Sequence, residues 1–131
     1  MIGEIKKPTL LVVEDDLNSQ VLMKFYLRDE YELDFATTVT ESIEKLKKYP
    51  VDIILLDLSL DGGEDGLDLA KYVRKEDQWP NIIIIATTAH AFTADRINCL
   101  AAGCDDYISK PIKKQNLLEM IHKYSNEIAK R

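Results

Sequence analysis

Residues 51–66 read VDIILLDLSLDGGEDG. Four apolar residues, Ile53 to Leu56, run without alternation into a carboxylate, Asp57, and the chain then becomes acidic and glycine-rich. A strand-length run with no polar face is the pattern of a strand covered on both sides, as in a parallel sheet packed between helices. The aspartate closing such a run is held rigidly at the sheet's end. What surrounds it depends on the neighbouring segments.

Working outward, the same kind of run recurs. TLLVVE (9–14) and NIIIIATT (81–88) are strand-length and apolar, ELDFAT (32–37) alternates, and DDYISK (105–110) forms a short fifth segment. Helical patterns lie between them. Val21, Leu22, Phe25 and Tyr26 recur at helical spacing; Thr38 and Glu41 make a T-x-x-E capping box opening a helix with Ile43 and Leu46 inward. Leu67, Ala70 and Val73 mark a third helix, and Ile97, Leu100 and Ala101 a fourth that stops at Gly103. The last helix carries Leu117, Leu118, Ile121 and Ile128. Five β–α pairs with apolar central strands predict a doubly wound α/β fold: a five-stranded parallel sheet between two helical layers.

The 131 residues, 46% of them hydrophobic, suit one core, so residues 1–131 are expected to form a single domain with an ordered core over about 8–128. A formal charge of -6 and no basic stripe argue against direct nucleic-acid binding. No apolar run approaches the ~18 residues of a membrane span, and MIGEIKKP lacks the apolar middle of a signal peptide, so a cytoplasmic protein without membrane insertion is expected. Cys99 and Cys104 have no histidine at metal-ligand spacing and read as ordinary reduced thiols rather than a zinc site.

In open α/β sheets, ligands bind beyond the carboxyl ends of the strands, where strand order reverses. Just past the first strand come Glu14, Asp15 and Asp16; past the third, Asp57; past the fourth, Thr87 and Thr88; past the fifth, Lys110, followed by Pro111. If the first and third strands are neighbours, three or four carboxylates converge and demand a positive partner. Oxygen donors without soft ligands suit a hard divalent cation, Mg²⁺ or Mn²⁺. Adding Lys110 and the Thr88 hydroxyl completes a kit for phosphoryl transfer, with Asp57 as the nucleophile. Any one of these residues alone would read as a helix cap, a turn residue or a surface charge. Capping does not couple the ends of four strands.

The segments LLVVEDD, IILLDLSL, DG at Asp65 and Gly66, TTAHA from Thr87, and AAGCDDYISKPI through Ile112 resemble the receiver domain of two-component response regulators. The similarity covers essentially the whole chain, and its wording is nearest to receivers of hybrid histidine kinases and phosphorelays. The resemblance implies a flavodoxin-like, CheY-like (βα)5 sandwich with strand order 2-1-3-4-5. It implies that Asp57 accepts a phosphoryl group, with Asp15 on Mg²⁺, Glu14 reaching it through water, and the Ser59 backbone carbonyl completing the protein ligands. Lys110 would pair with a phosphoryl oxygen, and Lys110–Pro111 is a candidate cis peptide. Tyr107 matches the aromatic switch position.

The usual spacing from the aspartate favours Thr87 as the switch hydroxyl. The loop DLSLDGGEDG, however, is one residue longer than usual, and counting back from Lys110 or matching TAHA selects Thr88. Asp61 stands where many receivers carry proline, and with Gly62 and Gly63 it leaves that loop freer. Ser59 and His90, two positions beyond Asp57 and Thr88, are placed to guide or block a hydrolytic water.

The implied partners are a histidine kinase or histidine phosphotransfer protein as donor, and an effector docking on the face of the fourth helix, fifth strand and fifth helix. Such a chain is a phosphoacceptor signalling domain with self-catalysed phosphorylation and dephosphorylation, not a classical enzyme. It is either a stand-alone regulator or part of a longer protein. One rival is a phosphorylation-independent adaptor that keeps the fold. A phosphatase of the haloacid dehalogenase type is another, although its general-acid position is here Ser59. A flavodoxin-like cofactor carrier would place a flavin phosphate among carboxylates.

Overall fold

The computed structural model describes residues 7–60, 65–89 and 93–130. Chain order alternates strictly: β1 (Thr9–Val13), α1 (Leu17–Leu27), β2 (Glu32–Ala36), α2 (Val39–Lys48), β3 (Ile53–Asp57), α3 (Leu67–Lys75), β4 (Ile83–Thr88), α4 (Thr93–Ala101), β5 (Asp106–Ser109) and α5 (Lys114–Ala129). The five strands form one parallel sheet in the order β2-β1-β3-β4-β5, as expected. The order reverses between β1 and β3, so Asp57 lies beside the end of β1.

Because β3 and β4 are buried along their whole length, successive side chains feed two separate cores. Ile54, Leu56, Ile84 and Ala86 point into the layer of α2, α3 and α4, with Leu46, Leu69 and Val73. Ile53, Leu55, Ile83 and Ile85 point into the layer of α1 and α5, with Met23, Leu27, Leu117 and Ile121.

Local signals explain where the helices start and stop. Thr38 caps α2 by accepting the Glu41 N–H at 3.0 Å, and Glu41 answers by accepting the Thr37 N–H at 2.8 Å. Gly103, at φ 110°, ends α4: its N–H donates to Leu100, and the Cys104 N–H donates to the Cys99 carbonyl, each at 3.1 Å. These two bonds are a Schellman closure. Asp16 caps α1, accepting both the N–H and the hydroxyl of Ser19.

The phases of two helices differ from the apolar pattern. On α1 the buried residues are Met23 and Leu27, while Leu17, Val21, Leu22 and Phe25 face outward, Phe25 at 58% exposure. Tyr26 packs against the α1/α5 core, and its hydroxyl donates to the Ile112 carbonyl at 3.4 Å. That contact and the Met23–Leu27 pair set the rotation that turns Phe25 out. On α4, Ile97 and Leu100 are exposed and Cys99 is inward, because the closure at Gly103 folds Cys104 beneath the helix.

Candidate functional site

The end of β3 is fixed on both flanks. Asp57 pairs in register with Thr87 on β4, the Leu58 N–H donates to the Thr87 carbonyl at 3.0 Å, and the Asp57 side chain is 3% exposed. Its Oδ1 accepts the Ser59 N–H at 3.0 Å. Across the reversal point, Glu14 follows β1 directly; its N–H donates to Ala36 at 2.9 Å, and its carbonyl accepts the Gln20 side-chain amide at 2.6 Å. Glu14 is 5% exposed, and its Oε2 accepts the Asp16 N–H at 3.3 Å.

Glu14, Asp15 and Asp57 each offer a carboxylate oxygen within 4.8 Å of the others. Of the three acids after β1, Asp16 stands apart, because its carboxylate is spent on capping α1. Three oxygen donors of charged type at this spacing, without sulfur or imidazole, fit a hard divalent cation.

The counter-charge comes from β5. Lys110 Nζ lies 3.3 Å from Glu14 Oε1 and 3.3 Å from Asp57 Oδ1, bridging the two strand ends. Its backbone is anchored by donation to the Thr88 carbonyl at 2.7 Å, and the Lys110–Pro111 peptide is cis, as expected. Burial by itself pulls the lysine's pKa down, but Asp57 and Glu14 outweigh it and hold the ammonium above its ordinary value. Burial pushes Glu14 up to about 7, helped by its hydrogen bond to Asp57 and that residue's charge, while Lys110 pulls the other way. Three carboxylates against one ammonium thus leave the pocket with an excess of negative charge.

Sheet register separates the two threonines. Thr87 lies on the face shared with Asp57 and lines, with Glu14, Lys110 and Tyr26, a cavity of about 350 Å³ beside the carboxylates. Thr88 pairs with Ser109, and Ala86 with Tyr107, so Thr88 and Tyr107 share the opposite face. Tyr107 packs half-buried against the α2/α3/α4 core, with the Arg96 guanidinium of α4 5.6 Å from its ring centroid. Ser59 is exposed and bridges to Asp65. His90, and with it Asp61, Gly62 and Gly63, lies outside the described residues.

Three features of the site were not read from sequence. Gln20 holds the Glu14 carbonyl. Gly66 packs so close to β3 that a Cβ would lie 2.4 Å from the Asp57 carbonyl oxygen. An exposed apolar strip on α1 borders the cavity, with Leu22 lining it. Only Gly66 left a sequence signal, in the DG motif. Among the described residues no helix is long and apolar enough to cross a membrane.

Residues 10–122 match the response regulator receiver domain family. The chain is 34% identical over 122 residues to the hybrid signal transduction histidine kinase L of Dictyostelium discoideum, covering 88% of this chain and 7% of that protein. It is 36% identical over 118 residues to the transcriptional regulatory protein ResD of Bacillus subtilis (strain 168), covering 89% of this chain and 48% of that protein. It therefore spans less than half the length of either. The receiver domain of sensor histidine kinase PA1611 from Pseudomonas aeruginosa PAO1, solved with a magnesium ion coordinated in its active site cleft, superposes with a TM-score of 0.81 at 29% identity, covering 90% of this chain and 97% of that one. The chain belongs to the response regulator receiver domain family, the signalling domains of two-component systems.

Proposed function

We propose that the domain accepts a phosphoryl group onto Asp57 from the phosphohistidine of a histidine kinase or histidine phosphotransfer protein, and signals through its α4-β5-α5 face. The observation that carries this reading is the meeting of Glu14, Asp15, Asp57 and Lys110 at one strand-end pocket, with Lys110 3.3 Å from both Glu14 and Asp57.

Asp57 Oδ attacks phosphorus, the P–N bond breaks, and the imidazole leaves as a neutral base after taking up a proton; the product is an acyl phosphate. Glu14, Asp15, Asp57 and the Ser59 backbone carbonyl would hold Mg²⁺ or Mn²⁺. Such an ion offsets the negative charge of donor and acceptor, which otherwise repel. Lys110 exchanges its carboxylate partners for a phosphoryl oxygen, and the Thr88 hydroxyl donates to another. Thr88 is preferred to Thr87 because it shares its sheet face with Tyr107, so its movement and a change of the Tyr107 ring occur in one layer. Ser59 and His90 tune the water that later cleaves the acyl phosphate. Effector recruitment then follows from the altered surface around Tyr107 and Arg96.

Incubation with phosphoramidate or acetyl phosphate and Mg²⁺ should raise the intact mass by one phosphoryl group, and Asp57→Asn should remove that gain. Labelling that persists in the Asn variant would sink the assignment. A wild-type chain that stays unlabelled and fails to bind beryllofluoride would point instead to an adaptor that keeps the fold without the chemistry.

A further inference from the structure

The Schellman closure of α4 brings together two side chains that the proposed phosphoryl chemistry does not use. In this motif the residue three before the cap and the residue two after it pack against each other, usually as an apolar pair. Here those positions are Cys99 and Cys104, both reduced, 1% and 5% exposed, with their thiols close enough to share a hydrogen bond.

The backbone between them is short and fixed. The Cys104 N–H donates to the Cys99 carbonyl at 3.1 Å, which by standard bond lengths keeps the two Cα atoms within about 7 Å, the reach of a disulfide. From outside, Arg74 clamps the turn: Nε donates to the Gly103 carbonyl at 2.8 Å, and the guanidinium also binds the Ile82 carbonyl and the Asp105 carboxylate. The hydrogen bond from Cys104 draws the Cys99 thiol below its ordinary range, and the same bond pushes Cys104 up. Either sulfur can attack first, with the other as the resolving thiol; one route runs through Cys99.

We propose that Cys99 and Cys104 are a redox modification site: a peroxide or a small-molecule disulfide converts them to a reversible intrachain disulfide that staples the end of α4 to the start of β5. With a peroxide, the Cys99 thiolate attacks the O–O bond, giving a sulfenic acid and one water. The Cys104 sulfur then attacks that sulfenic sulfur and a second water leaves; two thiols and one peroxide become one disulfide and two waters. With a small disulfide, Cys99 first forms a mixed disulfide, and Cys104 displaces the second small thiol. Burial makes the reaction wait on opening of the last turn of α4, so it is slower than at a free thiol. The bridge restrains the α4–β5 junction, the layer that holds Tyr107. That consequence rests on the signalling role proposed for the face; the bridge itself does not.

The test uses the wild-type chain in chelator, without a phosphoryl donor. After hydrogen peroxide or oxidised glutathione the protein is unfolded in N-ethylmaleimide and weighed intact. The expected result is loss of both alkylatable thiols, a mass lower by two hydrogens, a monomer on a non-reducing gel, and recovery of both thiols with dithiothreitol. Cys99→Ala and Cys104→Ala should each stop at a single glutathione adduct. Two alkylatable thiols retained in the wild type at equilibrium with oxidised glutathione, long after a control dithiol peptide is fully oxidised, would overturn the proposal. Separate oxygen or glutathione adducts on both cysteines, or interchain dimers, would overturn it as well. No phosphoryl chemistry enters the readout, so failure here leaves the role of Asp57 standing, and failure of Asp57 labelling leaves the bridge standing.

Discussion

Glu14 is where the pocket's excess charge is most exposed to measurement. Its carboxyl is raised by burial first, then by its hydrogen bond to Asp57, from 4.5 to about 7. A folded-state pKa above the unfolded one means that the folded chain binds the proton more tightly. The stability it contributes is complete below about 4.5 and is lost as pH rises through about 7. Metal-free protein should therefore lose on the order of 2 kcal/mol of unfolding free energy across that window from this group alone. Denaturant unfolding in chelator at several pH values checks it, with Glu14→Gln flattening the loss relative to wild type. Equal pH slopes for the two proteins would show that Glu14 does not titrate there. This carboxylate and Lys110 were both legible in the sequence as members of one strand-end pocket, but the specific contact between them was not. Ninety-six positions separate the two, and no local pattern encodes that contact.

At the scale of elements, two features frame the opening above Asp57. The first turn of α3 sits against the end of β3 only because Gly66 has no side chain: a Cβ there would meet the Asp57 carbonyl oxygen at 2.4 Å. Gly66→Ala must push α3 away from the end of β3. It should cost about 1–3 kcal/mol of stability, read by denaturant unfolding, and slow labelling by small phosphoryl donors.

The second feature is α1, whose outward Leu17, Val21, Leu22 and Phe25 make an apolar strip next to the cavity. Under the proposed transfer a macromolecular donor would bring its phosphohistidine to a nearly buried carboxylate, and the apolar patch beside that opening is the face predicted to dock it. Phe25→Asp should leave labelling by phosphoramidate unchanged and slow transfer from a phosphorylated histidine protein about tenfold or more. Equal slowing with both donors would place the effect in the pocket rather than in docking. The sequence showed α1 as a helix but not its rotation. Apolar spacing fixes the period, whereas the buried side is chosen by Tyr26, Met23 and Leu27 against distant partners. The same is true of α4, where the exposed Ile97 and Leu100 dominate the pattern and the small Cys99 is what packs inward. Strands were easier to read, because a run buried on both faces needs no partner to be recognised.

Across the whole molecule, the sheet's reversal between β1 and β3 forces the acidic pair and Asp57 together, and both cores hold them there. The fold thus carries a charge cluster that it must tolerate for the sake of the site. A conflict of this kind between function and stability is a property of the assembled domain, because each carboxylate is harmless on its own strand. Asp57→Asn removes one charge, and with it a hydrogen bond and a repulsion that both raise Glu14. It also leaves Lys110 with Glu14 as partner at 3.3 Å. In chelator at neutral pH this variant should be about 1–2 kcal/mol more stable than wild type. On the proposed reading, added Mg²⁺ should reverse the ranking by mass action, since the wild-type pocket offers a cation three carboxylates and the variant only two. Thermal unfolding of both proteins with and without Mg²⁺ gives the comparison. A wild type that is already the more stable in chelator would mean that Lys110 alone balances the cluster, and that the cation is not needed to hold the folded pocket together.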